Sequence, residues 1–187
     1  MPPAAWSEGV PFLVLINGAP GTGKSTIASR LAESDPQGLA LDLDVIKHAL
    51  PDWEANPTEA GLQARAIWLD RARSLLARKI NVYVGQYLAR PEFVAQLDAL
   101  VREVEGQFVE LILCIDADQL ATRLSERIER PDRPEHEVNN RLLGPADLPE
   151  LLRSIETIRT LRPHAIDIDA SGDIAETAAA ARRHISR

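Results

Sequence analysis

The segment Gly18-Ala19-Pro20-Gly21-Thr22-Gly23-Lys24-Ser25 decides the fold of this chain, because it matches the pattern G-x-x-x-x-G-K-[ST] at every position. Glycines in such a turn allow backbone torsions that side chains forbid, so consecutive N–H groups can point at a phosphate. The pattern requires a buried strand before it and a helix after it. The apolar run Phe12–Ile16 and the helical stretch Ser25–Glu33 meet both requirements. The segment therefore predicts a cradle for the phosphates of ATP or GTP.

The last residues of this segment carry the groups that are expected to contact the nucleotide. Lys24 is predicted to reach the β- and γ-phosphates, and the Ser25 hydroxyl to coordinate Mg²⁺. Thr26 is predicted to contact the α-phosphate. The helix that begins near Lys24 adds the positive end of its dipole and its unpaired amides. ATP and Mg²⁺ are therefore the predicted cofactors, and the flanking strand and helix argue against a chance match.

The composition limits the class of protein. The chain has 187 residues and a formal net charge of −7, and 45% of its residues are hydrophobic. This length fits one domain over residues 1–187, with an irregular lead-in over residues 1–10. The acidic surface disfavours a nucleic-acid partner without excluding one. The single cysteine, Cys114, rules out an internal disulfide, and no apolar stretch is long enough to cross a bilayer, so we expect a cytoplasmic protein.

Short apolar runs alternate with stretches of helical periodicity along the rest of the chain. Strands are predicted at Phe12–Ile16, Leu39–Leu43, Asn81–Val84, Phe108–Ile115 and Ala165–Ile168. This alternation indicates a parallel sheet with helices on both faces. Only the arginine- and proline-rich segment Arg127–Arg141 departs from this alternation, which makes it a candidate mobile lid.

The longest predicted helix covers about Thr58–Lys79. Helical spacing predicts one apolar face on it, formed by Leu62, Ala66, Leu69, Ala72 and Leu76. Trp53 and Trp68 flank or lie within this helical region. Trp68 has apolar neighbours and is expected to be buried, whereas Trp53 is expected to be more open.

In its phosphate loop and in the order of its motifs, the chain resembles the P-loop kinases of the nucleoside-monophosphate-kinase-like group. Within that group it looks closest to a branch that contains chloramphenicol phosphotransferases, zeta toxins, polynucleotide 5′-kinases and tunicamycin-resistance proteins. The resemblance implies a three-layer α/β fold with a five-stranded parallel sheet in the order 2-3-1-4-5. It also implies an arginine-rich lid at about residues 123–141, and a helical region after the second strand that covers the acceptor site.

A candidate catalytic acid follows from the same resemblance. These kinases commonly show D-x-x-[RK] at the end of the second strand, where this chain has Leu43-Asp44-Val45-Ile46-Lys47. The family's acid accepts the proton of the substrate hydroxyl, and the matching position is Asp44, with Lys47 in the substrate site. A carboxylate at hydrogen-bond distance can take this proton as the hydroxyl attacks the γ-phosphoryl. His48, one helical turn after Asp44, is a further candidate acceptor contact.

Asp42 lies two residues before Asp44 on the same predicted strand. Alternate strand residues project to one side, so Asp42 could share the role of Asp44 or bind Mg²⁺ through water. The alternative for both acids is a cap at the strand end or a solvated position.

The lid assignment depends on the segment Leu120–Arg133, which reads LATRLSERIERPDR. Its R-L-x-x-R element resembles the start of the lid in adenylate-kinase-like enzymes, which puts Arg123 by the adenine and Arg127 by the phosphates. Arg130 would close over the transferring phosphoryl and neutralise its charge. The alternative is a solvated helix face on which neighbouring glutamates pair with these arginines. The stretch Ala170-Ser171-Gly172 resembles the loop at the adenine edge in these kinases.

The third predicted strand departs from the common P-loop pattern. It runs Asn81-Val82-Tyr83-Val84-Gly85-Gln86, without the acid that holds Mg²⁺ through water in many P-loop proteins. Metal binding is therefore expected from Ser25 with help from Asp42 or Asp44. Gln86, Tyr87 and Arg90 occupy the stretch where related kinases contact the acceptor, and loop packing is the alternative for them.

The sequence thus predicts an ATP:alcohol phosphotransferase acting on a small molecule such as an antibiotic, a nucleoside or a nucleotide sugar. A polynucleotide 5′-hydroxyl kinase is the nearest enzymatic alternative. A non-catalytic ATP-dependent protein that sequesters a ligand is the alternative from another class. The acceptor, the choice between ATP and GTP and the oligomeric state are left open by the sequence.

Overall fold

A computed structural model describes residues 9–129 and 145–185 of the chain. The predicted lid beyond Glu129, including Arg130, lies outside the described residues, as does most of the predicted lead-in. Within the described ranges no helix is both long enough and apolar enough to span a lipid bilayer.

Strands and helices alternate along the described chain, as the apolar pattern predicts. The strands are β1 (Phe12–Gly18), β2 (Gly38–Ala40), β3 (Asn81–Gly85), β4 (Gln107–Cys114) and β5 (Ile166–Asp169). The helices are α1 (Lys24–Glu33), α2 (Leu43–His48), α3 (Pro57–Ala77), α4 (Pro91–Glu103), α5 (Ala117–Glu129), α6 (Leu148–Leu161) and α7 (Ile174–Arg182). A single 3₁₀ turn, Pro145–Asp147, leads into α6.

The strands form one five-stranded parallel sheet in the order β2-β3-β1-β4-β5. This is the order that the resemblance implies, so the predicted fold class is confirmed. All seven residues of β1 are buried, because the strand lies at the centre of the sheet with helices on both faces.

Successive side chains of β1 point to opposite faces of the sheet. Leu13 and Leu15 pack in one apolar cluster with α3 and α4, whereas Val14 and Ile16 pack in a second cluster with α1 and α7. A third cluster joins Ile112 of β4 to the apolar faces of α5 and α6. The phosphate loop therefore starts from a strand that is packed on both sides.

The prediction of a strand over Leu39–Leu43 is wrong beyond Ala40. β2 has only three residues, and Leu43 begins helix α2. The Asp42 carboxylate caps this helix, because its Oδ1 accepts a hydrogen bond from the Asp44 amide at 2.9 Å. The placement of Asp42 and Asp44 on one side of a strand is therefore corrected: the two acids are the cap and the first turn of a helix.

The predicted apolar face of α3 is right in its second half and wrong in its first. Leu62 is 62% exposed and Ala66 is also exposed, whereas Ala72 and Leu76 are buried. The buried positions are spaced four residues apart: Ala60, Ala64, Trp68, Ala72 and Leu76. Small alanines on both sides of Trp68 allow neighbouring helices to approach, and the indole Nε1 donates to the Leu41 carbonyl at 2.8 Å. Burial of the large indole therefore sets the rotation of the helix, and the prediction for Trp68 is confirmed.

Candidate functional site

The glycine-rich loop joins the end of β1 to the start of α1, as predicted. Gly21 and Gly23 have φ angles of 90° and 87°, in the left-handed region that favours glycine. Gly23 immediately precedes α1, and no side chain caps the first amides of this helix. Uncapped amides at a helix N-terminus are ready donors for a phosphate.

Two side-chain contacts hold the loop around the Ala19 carbonyl. The buried Thr22 hydroxyl and the Lys24 ammonium both donate to this oxygen, each at 2.9 Å. The Lys24 side chain therefore lies along the loop rather than extending into solvent. Ser25 and Thr26 are half-buried in the first turn of α1, next to the uncapped amides.

Lys24 is surrounded by charges from two other helices. Burial of its ammonium lowers the pKa of Lys24 from 10.5 to about 7, the positive charge of Arg127 lowers it further, and Asp44 opposes the shift. The loop lysine, Arg127 of α5 and Asp44 of α2 thus lie within electrostatic reach of one another. Two cations side by side in a buried position create a strongly favourable place for a polyanion such as a triphosphate.

Asp44 lies half-buried in the first turn of α2. Burial is the main cause that raises the pKa of this carboxyl, and the negative charge of Asp42 adds to it. The positive charges of His48, Lys47 and Lys24 act in the opposite direction. A carboxylate with a raised pKa is a stronger proton acceptor than an ordinary aspartate, which suits a general base.

The arginines predicted at the lid are partly described. Arg123 and Arg127 lie one turn apart on α5, and Arg127 is half-buried next to Lys24. The guanidinium of Arg123 donates to the carbonyls of Ser171 and Gly172 at 3.4 and 3.1 Å. The structure thus joins Arg123 to the loop that the resemblance places at the adenine edge. Contact with the base itself stays a prediction.

The end of β3 approaches the start of α1 very closely. A β-carbon on Gly85 would lie 2.5 Å from the carbonyl carbon and oxygen of Lys24 and 2.6 Å from the Ser25 amide nitrogen. There is consequently no space for an acidic side chain at this position. The next residue, Gln86, donates its amide to the Ile16 carbonyl at 3.0 Å. Its side-chain Oε1 is buried and has no hydrogen-bond partner among the described residues.

Magnesium fits these residues only together with a nucleotide. Within the described ranges no group of three or more His, Cys, Asp or Glu side chains could hold a metal ion. Mg²⁺ needs few protein ligands when phosphate oxygens and waters complete its octahedron. The Ser25 hydroxyl at the loop is one suitable oxygen. Gln86, which follows Gly85, carries a second acceptor oxygen, and this buried Oε1 has no hydrogen-bond partner among the described residues.

The remaining predicted acceptor residues differ in their surroundings. The Tyr87 hydroxyl lies 2.7 Å from the Ser154 Oγ on α6, and its ring packs on the third apolar cluster. Tyr87 thus makes the packing contact that the sequence left as an alternative. Arg90 is exposed at the N-terminus of α4, and its guanidinium has no hydrogen bond or ion pair with another described residue.

Asn17 is a site residue that the sequence reasoning missed. Its buried Oδ1 accepts from the amides of Gly18 and Leu88 at 2.8 and 3.0 Å, and its Nδ2 donates to the Leu88 carbonyl. The side chain therefore ties the start of the phosphate loop to the segment after β3. The sequence did contain a signal for it, because Asn17 follows an otherwise apolar strand segment. A buried asparagine side chain needs hydrogen-bond partners inside the protein.

Comparisons with known proteins agree with this geometry. Residues 13–144 match the family described as "AAA domain". Over 182 residues the chain is 30% identical to the dephospho-CoA kinase of Aromatoleum aromaticum, and the match covers 88% of this chain and 87% of that protein.

Two solved structures share the fold. The gluconokinase from Sinorhizobium meliloti 1021 has a TM-score of 0.57 and 19% identity, with 93% of this chain and 92% of that chain covered. The tunicamycin resistance protein of Deinococcus radiodurans has a TM-score of 0.60 and 14% identity, with 89% and 91% covered. The chain therefore belongs to the AAA domain family, in the P-loop kinase group of ATP-dependent phosphotransfer proteins that its sequence resembles.

Proposed function

We propose that the protein transfers the γ-phosphoryl group of Mg-ATP to a hydroxyl group of a small molecule. One observation carries this proposal: Asp44, Lys24 and Arg127 come from three different helices and lie within electrostatic reach of one another. A base, a phosphate-binding lysine and a second cation are the groups that phosphoryl transfer to an alcohol requires.

The nucleotide side of the site uses the loop from Gly18 to Thr26. Backbone amides of the loop and of the first turn of α1 would surround the β-phosphate, and Lys24 would turn from the Ala19 carbonyl toward the β- and γ-phosphates. Mg²⁺, held by the Ser25 hydroxyl and the phosphates, would neutralise part of the phosphate charge. Arg123 would hold the loop at Ser171 and Gly172 against the base.

The acceptor side of the site centres on Asp44. Its carboxylate would accept a hydrogen bond from the acceptor hydroxyl, orient the oxygen toward the γ-phosphorus and take the proton. Asp42 supports this step by holding the start of α2 through its cap on the Asp44 amide. Gln86 offers a buried acceptor oxygen at the end of β3, where ligands bind in open α/β sheets. Lys47, Tyr87 and Arg90 are the further proposed substrate residues.

Lys24 and Arg127 would neutralise negative charge on the phosphoryl group during its transfer. As the phosphoryl group leaves ADP, negative charge spreads over its oxygens. The half-buried Arg127 would stabilise this charge together with Lys24, because its positive charge already acts on the Lys24 ammonium. Arg130 keeps its proposed role in the closed lid, outside the described residues.

A ligand-sequestering protein is the second candidate, because Gly85 leaves no room for an acid at the end of β3. The test is ADP release from Mg-ATP with a panel of acceptors, including antibiotics, nucleosides, nucleotide sugars and a 5′-hydroxyl oligonucleotide. Wild type is compared with Lys24→Ala, Asp44→Asn and the matched control Glu54→Gln, which changes an exposed acid.

Under the kinase proposal one acceptor class raises ADP release at least tenfold, and Asp44→Asn lowers this rate by about 100-fold or more, the usual contribution of a general base. Glu54→Gln retains the activity. Acceptor-dependent turnover that survives in Asp44→Asn would exclude the proposed base. Tight acceptor binding by both wild type and Asp44→Asn, without turnover in either, would favour sequestration.

A further inference from the structure

A buried amide side chain lies between the nucleotide side and the acceptor side of the site. Asn17 is fully buried in β1, next to Gly18, where the phosphate loop begins. A single atom, its Oδ1, accepts hydrogen bonds from the Gly18 amide at 2.8 Å and from the Leu88 amide at 3.0 Å. The Nδ2 of the same side chain donates to the Leu88 carbonyl at 3.2 Å. One side chain thus bonds to the first residue of the loop and, at two points, to the segment after β3.

The segment 86–90 leaves the sheet where β3 ends. The last backbone bond between β1 and this part of the chain runs from the Gln86 amide to the Ile16 carbonyl, at 3.0 Å. Beyond it, the Asn17 side chain continues the connection by pairing with both backbone groups of Leu88. The Leu88 side chain is buried in the apolar cluster of α3 and α4. Two hydrogen bonds to one residue fix its orientation as well as its position, because each has a preferred direction.

The position of this segment matters for the proposed transfer. Three of the proposed acceptor residues, Gln86, Tyr87 and Arg90, belong to it. Its distance from the phosphate loop would therefore set the distance between the acceptor and the γ-phosphate. Reacting atoms must approach to about 3–3.5 Å, and a misplacement of about 1 Å can lower a rate about 100-fold.

A second buried asparagine provides a contrast. Asn81 is fully buried at the start of β3, where its Oδ1 accepts from the Phe12 amide at 3.1 Å and its Nδ2 donates to the Asp35 carboxylate at 2.7 Å. Both asparagines connect β1 to the chain around β3. Asn81 does so at the start of the two parallel strands, whereas Asn17 does so at the end that carries the phosphate loop. The two positions therefore separate an effect on stability from an effect on the site.

We propose that Asn17 is a positioning residue for phosphoryl transfer, which holds Leu88 and the acceptor residues around it at a fixed place relative to the phosphate loop. The inference rests on the proposed function, because the segment can align an acceptor only if the protein phosphorylates one. An apolar side chain at residue 17 would continue the apolar run before it but would leave three backbone groups of Gly18 and Leu88 without these bonds. It could not hold the two segments together.

The kinetic test uses two variants of Asn17 and one of Asn81. Asn17→Ser shortens the side chain and removes the donor, and should lower kcat about tenfold or more. KM for ATP should change less than about threefold, because Thr22 and Lys24 still hold the loop at the Ala19 carbonyl. Asn17→Asp keeps the shape and loses only the donor, so kcat at saturating ATP should fall several-fold. The control Asn81→Ser should lose stability in urea unfolding and keep the kcat of wild type.

The acceptor in these assays is the compound that gives the highest ADP release in the panel described above. A second measurement needs no acceptor. Amide hydrogen exchange of the nucleotide-free protein reports how firmly Leu88 is held, with the buried amides of β1 as the reference for global unfolding. Asn17→Ser should accelerate exchange of the Leu88 amide about tenfold or more relative to this reference, and Asn81→Ser should leave it as in wild type.

An unchanged kcat in both Asn17 variants would overturn the inference, as would an unchanged kcat in Asn17→Asp if Asn17→Ser does not fold. An equal loss of kcat in Asn81→Ser would overturn it too, because the effect would then be one of stability. Unchanged exchange of the Leu88 amide in the folded Asn17 variants would show that these bonds do not hold the segment.

Failure of the proposed function gives a different result, in which no acceptor raises ADP release by wild type. Faster Leu88 exchange in Asn17→Ser would then support the link between the two segments and remove the kinase. Acceptor-dependent turnover in wild type that Asn17→Ser retains in full would leave the kinase and remove the positioning role.

Discussion

A β-carbon on Gly85 would lie 2.5 Å from the carbonyl carbon of Lys24, so the end of β3 lies directly against the backbone of the phosphate loop. Strand β3 also pairs with β1, which leads into the loop from its other end. The loop is therefore fixed from two directions. This contact explains why residue 85 has no side chain.

Gly85→Ala should destabilise the protein by about 1–3 kcal/mol, the usual cost of overpacking a tight site. Because the displaced atoms belong to Lys24 and Ser25, ATP affinity should fall as well. Urea unfolding and nucleotide titration measure the two effects. Gly61→Ala is the matched control, since nothing lies within 4 Å of a β-carbon at Gly61 in helix α3 and alanine favours a helix. Unchanged ATP affinity in Gly85→Ala would show that the loop tolerates the displacement.

Lys24 should lower the stability of the nucleotide-free protein in a pH-dependent way. Its pKa is lowered from 10.5 to about 7 on folding, so between these values the unfolded chain binds more protons and stability rises with pH. Below about pH 7 both states are protonated and the full destabilisation is present. Lys24→Met should therefore be more stable than wild type at pH 6, and this advantage should shrink by pH 9. Thermal unfolding without nucleotide measures it, and an equal advantage at both pH values would contradict a depressed Lys24 pKa.

Asp42 should affect Asp44 in two ways. It caps the Asp44 amide, and its negative charge raises the pKa of the Asp44 carboxyl. Asp42→Asn keeps a capping oxygen but removes the negative charge that raises the pKa of Asp44. The acid limb of kcat/KM, where activity is lost as pH falls, should then move to lower pH. Asp42→Ala should in addition lose about 1 kcal/mol of stability with the cap. A large increase in the Mg²⁺ requirement of Asp42→Asn, without movement of the acid limb, would instead favour a metal-binding role.

Substitution of Arg123 should raise KM for ATP and leave KM for the acceptor nearly unchanged. Arg123→Ala removes the hydrogen bonds to the carbonyls of Ser171 and Gly172. Loss of about 1–2 kcal/mol of loop ordering should raise KM for ATP roughly five- to thirtyfold, with little change in KM for the acceptor. Steady-state kinetics with each substrate varied in turn measure this. Arg153→Ala is the control, because the Arg153 guanidinium donates to the Pro149 carbonyl of its own helix and to no other described residue. An equal rise in both KM values would place Arg123 outside the adenine side.

The phosphate loop and the parallel sheet could be predicted from local patterns. Glycines, the lysine and the hydroxyl residues of Gly18–Thr26 are consecutive, and the strand and helix that they require adjoin them. Alternation of apolar runs with helical periodicity needs only windows of a few residues. The structure confirms both, because torsional preference and binary patterning act over short distances along the chain.

Helix α2 shows where local patterns are ambiguous. The run Leu39–Leu43 reads as an alternating strand, and Asp42 fits equally well as a strand residue and as a helix cap. Pairing decides between them: Gly38, Leu39 and Ala40 pair with β3, and the Leu41 amide donates a last hydrogen bond to the Tyr83 carbonyl. The chain then turns into a helix that Asp42 caps. Long-range hydrogen bonding to a neighbouring strand overrides the pattern, so the geometry of the two acids could not be read in advance.

The electrostatic arrangement of the site depends entirely on tertiary packing. Lys24, Asp44 and Arg127 are far apart in the chain and meet only because parallel crossovers bring the helix ends to one edge of the sheet. The contacts of Gly85 with Lys24 and of Arg123 with Gly172 have the same origin. Residue type and spacing determined the glycine-rich loop and the strand and helix that adjoin it. The approach of Arg127 to Lys24 and the lowered pKa of Lys24 depend on burial and distance, which no short stretch of sequence contains.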